Sequence, residues 1–111
     1  MKVKTSELQG AALDWAVAKC EGMVPNTPFI ASNKEYTFKP STDWAQGGPI
    51  IERCCINVYY DGGGYWCATT DSGDPPKFGP TPLIAAMRCY VASKLGDEVD
   101  VPDELMEGEV K

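Results

Sequence analysis

The stretch Gly79-Pro80-Thr81-Pro82-Leu83-Ile84-Ala85-Ala86-Met87-Arg88-Cys89-Tyr90-Val91-Ala92-Ser93-Lys94-Leu95-Gly96 decides the fold. Thr81 reads as an N-cap and Pro82 as the first helical residue, where the missing N–H is harmless and φ is already helical. Gly96 ends the helix at a position that favours a left-handed residue. At 3.6 residues per turn, Ile84, Met87, Val91 and Leu95 form a large apolar stripe flanked by Leu83 and Tyr90. The other side carries Ala85, Ala86, Cys89, Ala92 and Ser93, small enough for close approach. Arg88 and Lys94 are the charged residues on this helix. A helix so apolar must be covered on more than one side, so helix 82–95 is expected to be the spine of the domain.

Immediately before it, Asp71 to Pro80 reads as a Gly/Pro/Asp loop. The next segment outward is a β-hairpin over about 55–70. Cys55 to Tyr60 is β-branched and aromatic, Asp61-Gly62-Gly63-Gly64 can turn the chain, and Tyr65 to Thr70 returns. Ile56, Val58 and Tyr60 share one face. Ser41-Thr42-Asp43-Trp44 should cap a short helix that Gly47-Gly48 interrupts and Pro49 restarts. Glu35 to Phe38 reads as a short strand and Met23 to Ser32 as loop.

At the N-terminal end, Met1 to Lys4 has the alternation of an edge strand. Ser6 and Gln9 have capping-box spacing, predicting a helix from about Glu7 to Glu21 with Gly22 as its stop. Leu13, Ala16, Val17 and Cys20 should face the core, and Trp15 should be covered by a second element. After Gly96, Glu98 to Val101 suits another edge strand and Pro102 to Met106 a helical turn. The expected organisation is one domain over residues 1–106 with an acidic, disordered tail at 107–111.

The 111 residues suffice for one modest core. The net charge of −6 is concentrated: Asp97 to Lys111 holds seven acids and one lysine, leaving nine acids and nine bases elsewhere. A neutral body with an acidic tail is a poor duplex-binding surface, because polyanion affinity needs clustered Lys and Arg. No apolar run approaches the roughly 20 residues of a membrane span. Five cysteines without a CxxC spacing read as reduced thiols in a cytoplasmic protein.

Catalytic signals are sparse. The chain has no histidine, which removes Ser/His and Cys/His nucleophilic pairs and any His-containing zinc site. Asp43, Asp61, Asp71 and Asp74 sit in cap or turn contexts, where their ordinary role is to accept backbone N–H bonds. Gly62-Gly63-Gly64 lacks the GK[ST] ending of a phosphate loop. No enzyme, metal or cofactor is expected. Two binding signals remain: the helix start at Gly79-Pro80-Thr81, with Lys77 beside it, and the aromatic residues around the hairpin. The candidate ligand-binding residues are therefore Trp44, Tyr65, Lys77, Gly79, Thr81 and Arg88. Trp44 and Trp66 are expected to be mostly buried in the core, whereas the hairpin tyrosines can be core or a stacking platform. The bland alternative for the helix start closes it by Thr81 alone and pairs Arg88 with an acid such as Glu52.

Four blocks carry a resemblance: Lys4-Thr5-Ser6-Glu7-Leu8, Ala12-Leu13-Asp14-Trp15-Ala16-Val17-Ala18, Ser41-Thr42-Asp43-Trp44-Ala45-Gln46-Gly47-Gly48-Pro49, and Gly79-Pro80-Thr81-Pro82-Leu83-Ile84-Ala85-Ala86-Met87-Arg88. Together they resemble the NinX family of small phage proteins, over most of the chain. The segment between Gly22 and Tyr36 is short for that family, and Cys54-Cys55 departs from its pattern. The resemblance implies a phage origin, the host cytoplasm and an α-β-α sandwich-like fold. It supplies no catalytic residues.

These readings combine into an α+β expectation: a small antiparallel sheet packed with an N-terminal helix and the long apolar helix 82–95. The expected function is a non-enzymatic phage accessory protein that binds a host component. In the leading version it opposes host defence by sequestering a small anionic, nucleotide-like ligand. In the alternative it inhibits a host protein through an exposed aromatic or acidic surface, and an enzyme with an unrecognised site ranks third. Duplex nucleic acid and membranes are not expected partners, and homo-oligomerisation is left open.

Overall fold

A computed structural model describes residues 2–22, 38–71 and 73–101. In chain order these form β1 (Lys2–Lys4), a 3-10 turn (Thr5–Glu7), α1 (Gly10–Cys20) and α2 (Trp44–Cys54). Then come β2 (Asn57–Tyr60), β3 (Trp66–Thr69), β4 (Lys77–Gly79), α3 (Pro82–Leu95) and β5 (Glu98–Asp100). The fold is α+β, with three helices and two small antiparallel sheets among the described residues. The expected strand at 35–38, the turn at 102–106 and the tail lie wholly or largely outside the described residues.

Helix α3 is the spine. Thr81 caps it, with its Oγ1 accepting the Ile84 N–H at 3.1 Å, and Pro82 opens it. Met87 and Val91 are fully buried, and so are Ala85 and Ala86 on the small-residue side. The helix touches β2, β3 and β4 on one side and α1 and α2 on others, which is why it is buried nearly all round.

The hairpin forms as expected, slightly shorter. Its register pairs Asn57 with Thr69, Val58 with Ala68, Tyr59 with Cys67 and Tyr60 with Trp66. Val58 and Ala68 lie on the face that meets α3, and Ile56 just ahead of β2 is buried. Tyr60 and Trp66 meet edge-on with ring centroids 5.3 Å apart. A third strand, β4, extends this sheet within the segment read as loop. Three residues between Pro76 and Pro80 are too few to show alternation, and proline confines such a strand to an edge.

The first and last described strands pair. In the β1–β5 pair, Lys2 stands opposite Asp100, Val3 opposite Val99 and Lys4 opposite Glu98. Two opposite-charge pairs thus flank one buried valine pair, which fixes the register.

Two helix boundaries differ from expectation. Helix α1 starts at Gly10, because Leu8 is extended at φ −69° and ψ 137° and its carbonyl accepts the side chain of Arg88 at 2.8 Å. Gln9 occupies the N-cap position without a side-chain cap. Helix α2 runs unbroken through Gly47-Gly48-Pro49. A Cβ on Gly47 would lie 2.5 Å from the Pro40 carbonyl oxygen and 2.6 Å from Leu83, so this glycine permits close packing rather than ending the helix. Trp15 is buried, as expected of a covered residue. Trp44 is not core: it is 55% exposed at the first position of α2, while Trp66 packs against the core and is half-buried.

Candidate functional site

Strand β4 builds one wall of a large cavity. A Cβ on Gly79 would fall 2.6 Å from the Ala85 amide nitrogen, so the glycine lets β4 lie hard against the first turn of α3. β4 pairs with β3 along one edge and leaves the other beside a cleft. The facing wall is the end of β1 and the turn after α3. Thr5 holds that wall together: its N–H donates to the Asp97 carbonyl and its Oγ1 to the Gly96 carbonyl, both at 2.7 Å.

Arg88 joins the two walls. Its Nε donates to the Leu8 carbonyl and its Nη1 to the Phe78 carbonyl, each at 2.8 Å. The guanidinium is half-buried, and burial pushes its pKa below the ordinary value, with Glu7 opposing that shift. Among the described residues no carboxylate forms an ion pair with it, so the expected Glu52 partner is replaced by two backbone carbonyls.

The cavity between these walls has a volume of about 950 Å³. Lys4, Lys77 and Arg88 bring positive charge to it, Asp97 and Glu98 negative charge, and Tyr65 and Phe78 two aromatic rings. Tyr65 and Phe78 are both about half exposed. Glu98 stands opposite Lys4 in the β1–β5 register, which sets those charges beside each other. Lys77 and Arg88 are then left against Asp97.

Of the six candidate ligand residues, Tyr65, Lys77, Gly79 and Arg88 line this cavity. Thr81 and Trp44 do not. The start of α3 is closed by its own cap, with Thr81 Oγ1 and the Thr81 carbonyl accepting the Ile84 and Ala85 amides. Phe78, Lys4 and Glu98 were not singled out by sequence. Their only signal was the short alternation of the terminal strands and one aromatic residue inside a proline-rich loop.

Nucleophilic and metal chemistry find little support. Burial pushes the Cys20 thiol up to about 11 and also raises Cys67 and Cys89, keeping these thiols protonated near neutral pH. Among the described residues no group of three acidic, cysteine or histidine side chains could hold a metal ion. Nor, among them, is any helix long and apolar enough to cross a membrane.

Fold and site together define a small α+β domain with an open cleft of mixed charge and aromatic lining. The family model described as bacteriophage P22 NinX matches residues 4–94. The chain belongs to the NinX family of phage proteins. No curated protein matches it.

Proposed function

We propose that this NinX-family protein is a non-enzymatic phage accessory protein that captures a small, ring-bearing anion, nucleotide-like in chemistry, in the cleft between β4 and the Thr5 wall. By withdrawing such a molecule in the host cytoplasm it would act against host defence. Arg88 carries the reading: a half-buried cation lining a large cavity, bonded to two carbonyls and to no carboxylate among the described residues. Desolvating a cation without a counter-charge is costly, and a phosphate is the group that guanidinium and ammonium donors bind best. Lys77 adds a second cation, and Tyr65 and Phe78 offer rings on which a base can stack.

Calorimetric titration with a panel of linear and cyclic nucleotides tests this reading. Binding is expected, weakened tenfold or more by Lys77→Glu and by Tyr65→Ala in proteins of unchanged fold. No heat with any nucleotide, from folded protein shown by native mass spectrometry to be ligand-free, would overturn it.

A second reading rests on the outer face of the hairpin sheet. There Tyr59, Cys67 and Phe78 stand in one cross-strand row, with Tyr59 45% and Phe78 49% exposed on either side of the buried cysteine. Two exposed rings in a row form an anchor of the kind that protein interfaces use. In this reading a host protein docks on that face, and Tyr59→Ala abolishes its co-purification from infected cells.

A further inference from the structure

The large cavity continues past Lys77. A smaller one of about 300 Å³ adjoins it, and Lys77 and Asp97 line both. The two are lobes of a single groove with Lys77 at their junction.

Their chemistry differs. The large lobe has two aromatic rings and Arg88, whereas no aromatic residue lines the small lobe. Asp74 and Asp97, the hydroxyl residues Thr70 and Ser93, and the short side chains of Cys89 and Ala92 line it. Ser93 Oγ already donates its hydrogen to the Tyr90 carbonyl at 2.7 Å, so toward a ligand it offers lone pairs only. The small lobe is therefore rich in acceptors and calls for a ligand group rich in donors. A second phosphate would meet repulsion there, and a second base would find no ring to stack on. Sugar hydroxyls fit, since carboxylates are the usual partners of such hydroxyls in nucleotide sites.

Resting on the nucleotide reading above, we infer that the ligand is a nucleoside diphosphate carrying an appended sugar. Its base lies against Tyr65 and Phe78, its diphosphate at Lys77 and Arg88, and the hydroxyls of its terminal sugar in the small lobe. Lys77 lines both cavities, which puts a cation where the diphosphate would join base and sugar.

Titration calorimetry with two matched pairs, UDP against UDP-glucose and ADP against ADP-ribose, tests the assignment. The sugar-bearing member of at least one pair should bind at least tenfold more tightly than its diphosphate. Asp74→Asn, and separately Ala92→Leu, which fills the small lobe, should remove that increment while leaving diphosphate affinity unchanged. Diphosphate binding with no gain from the sugar in either pair would overturn the inference and leave the nucleotide reading standing. Absence of binding by all four, and by the wider nucleotide panel, would remove both.

Discussion

The carboxylate of Asp14, inside α1, accepts the backbone N–H of Ser41 at 3.0 Å, and both residues are buried. This bond ties α1 to the chain entering α2. Burial raises the Asp14 pKa above the ordinary carboxylate value, with the Ser41 backbone hydrogen bond and Lys39 pulling the other way. The ionised form is therefore tolerated at some expense. Asp14→Ala, which leaves the Ser41 amide buried without an acceptor, should lose about 1–3 kcal/mol in urea unfolding. Asp14→Asn keeps an acceptor and removes the buried charge, so it should lose less. The sign of the pH effect follows from the raised pKa. Asp14 favours folding most below its unfolded value of about 3.9, and that contribution is lost as pH rises through the folded value. The asparagine variant should lack this component.

Glu21 works in the opposite direction. Tyr90 donates its hydroxyl to Glu21 Oε2, and Arg53 Nη2 reaches the same oxygen at 2.5 Å, so the ends of α1 and α2 meet on α3. Although burial opposes it, these hydrogen bonds and the Arg53 charge lower the Glu21 pKa overall. Its stabilisation is present above the unfolded value of about 4.3 and lost as pH falls through the folded value. The two partners should not matter equally. The Arg53 side chain is 56% exposed, and Arg53→Ala should lose under about 1 kcal/mol. Tyr90 is buried, and Tyr90→Phe should lose about 1.5–3 kcal/mol as a bond to a charged group is removed. Urea midpoints at pH 7 and pH 4 check both, with the difference between Tyr90→Phe and wild type shrinking at the lower pH.

The spine helix was legible because every signal for it is local: Thr81, Pro82, the apolar spacing and Gly96 lie within one segment. The hairpin was legible for the same reason. Arg88 was not, because its partners are the carbonyls of Leu8 and Phe78, and the first of these lies 80 residues away. That contact also explains the shifted start of α1, since the Leu8 carbonyl is turned out of the helix to meet the guanidinium. Strand β4 escaped notice because three residues between prolines form a strand only when β3 supplies a partner. Tyr65, Lys77, Gly79 and Arg88 were singled out around a helix start, yet they meet in a cleft beside it. The cleft takes its second wall from β1 and β5 and the turns beside them, whose pairing no local pattern could reveal.

Gly47 and Gly48 are adjacent in α2 and should respond oppositely to alanine. A Cβ on Gly47 would clash with the Pro40 carbonyl at 2.5 Å, whereas one on Gly48 meets nothing within 4 Å. Gly47→Ala should destabilise by about 1–3 kcal/mol through forced backbone displacement. Gly48→Ala should stabilise by about 0.5–1 kcal/mol, because alanine in a helix interior orders at less entropic cost than glycine. Thermal melts of the two single variants decide this directly. Equal shifts would mean that α2 does not run through the pair as one helix.

The last prediction concerns Cys55, which follows α2 in a left-handed conformation at φ 54° and ψ 46°. The Ile56 amide donates to the Ile51 carbonyl at 3.0 Å and the Cys55 amide to the Glu52 carbonyl at 3.3 Å. This is the bond pair of a Schellman ending, with buried Ile56 as its apolar contact. Such an ending ordinarily places glycine where Cys55 stands, since a Cβ there costs about 1–2 kcal/mol. Cys55 is exposed, so its removal sacrifices little packing. Glycine returns part of the gain through extra entropy in the unfolded chain, about 0.5–1 kcal/mol. Cys55→Gly should therefore raise stability by up to about 1 kcal/mol, whereas Cys55→Val, branched at Cβ, should lower it by more than that. Urea unfolding should show the glycine midpoint moving up and the valine midpoint moving down at an unchanged slope. A glycine variant less stable than wild type would mean that the thiol makes a favourable interaction outweighing its backbone strain.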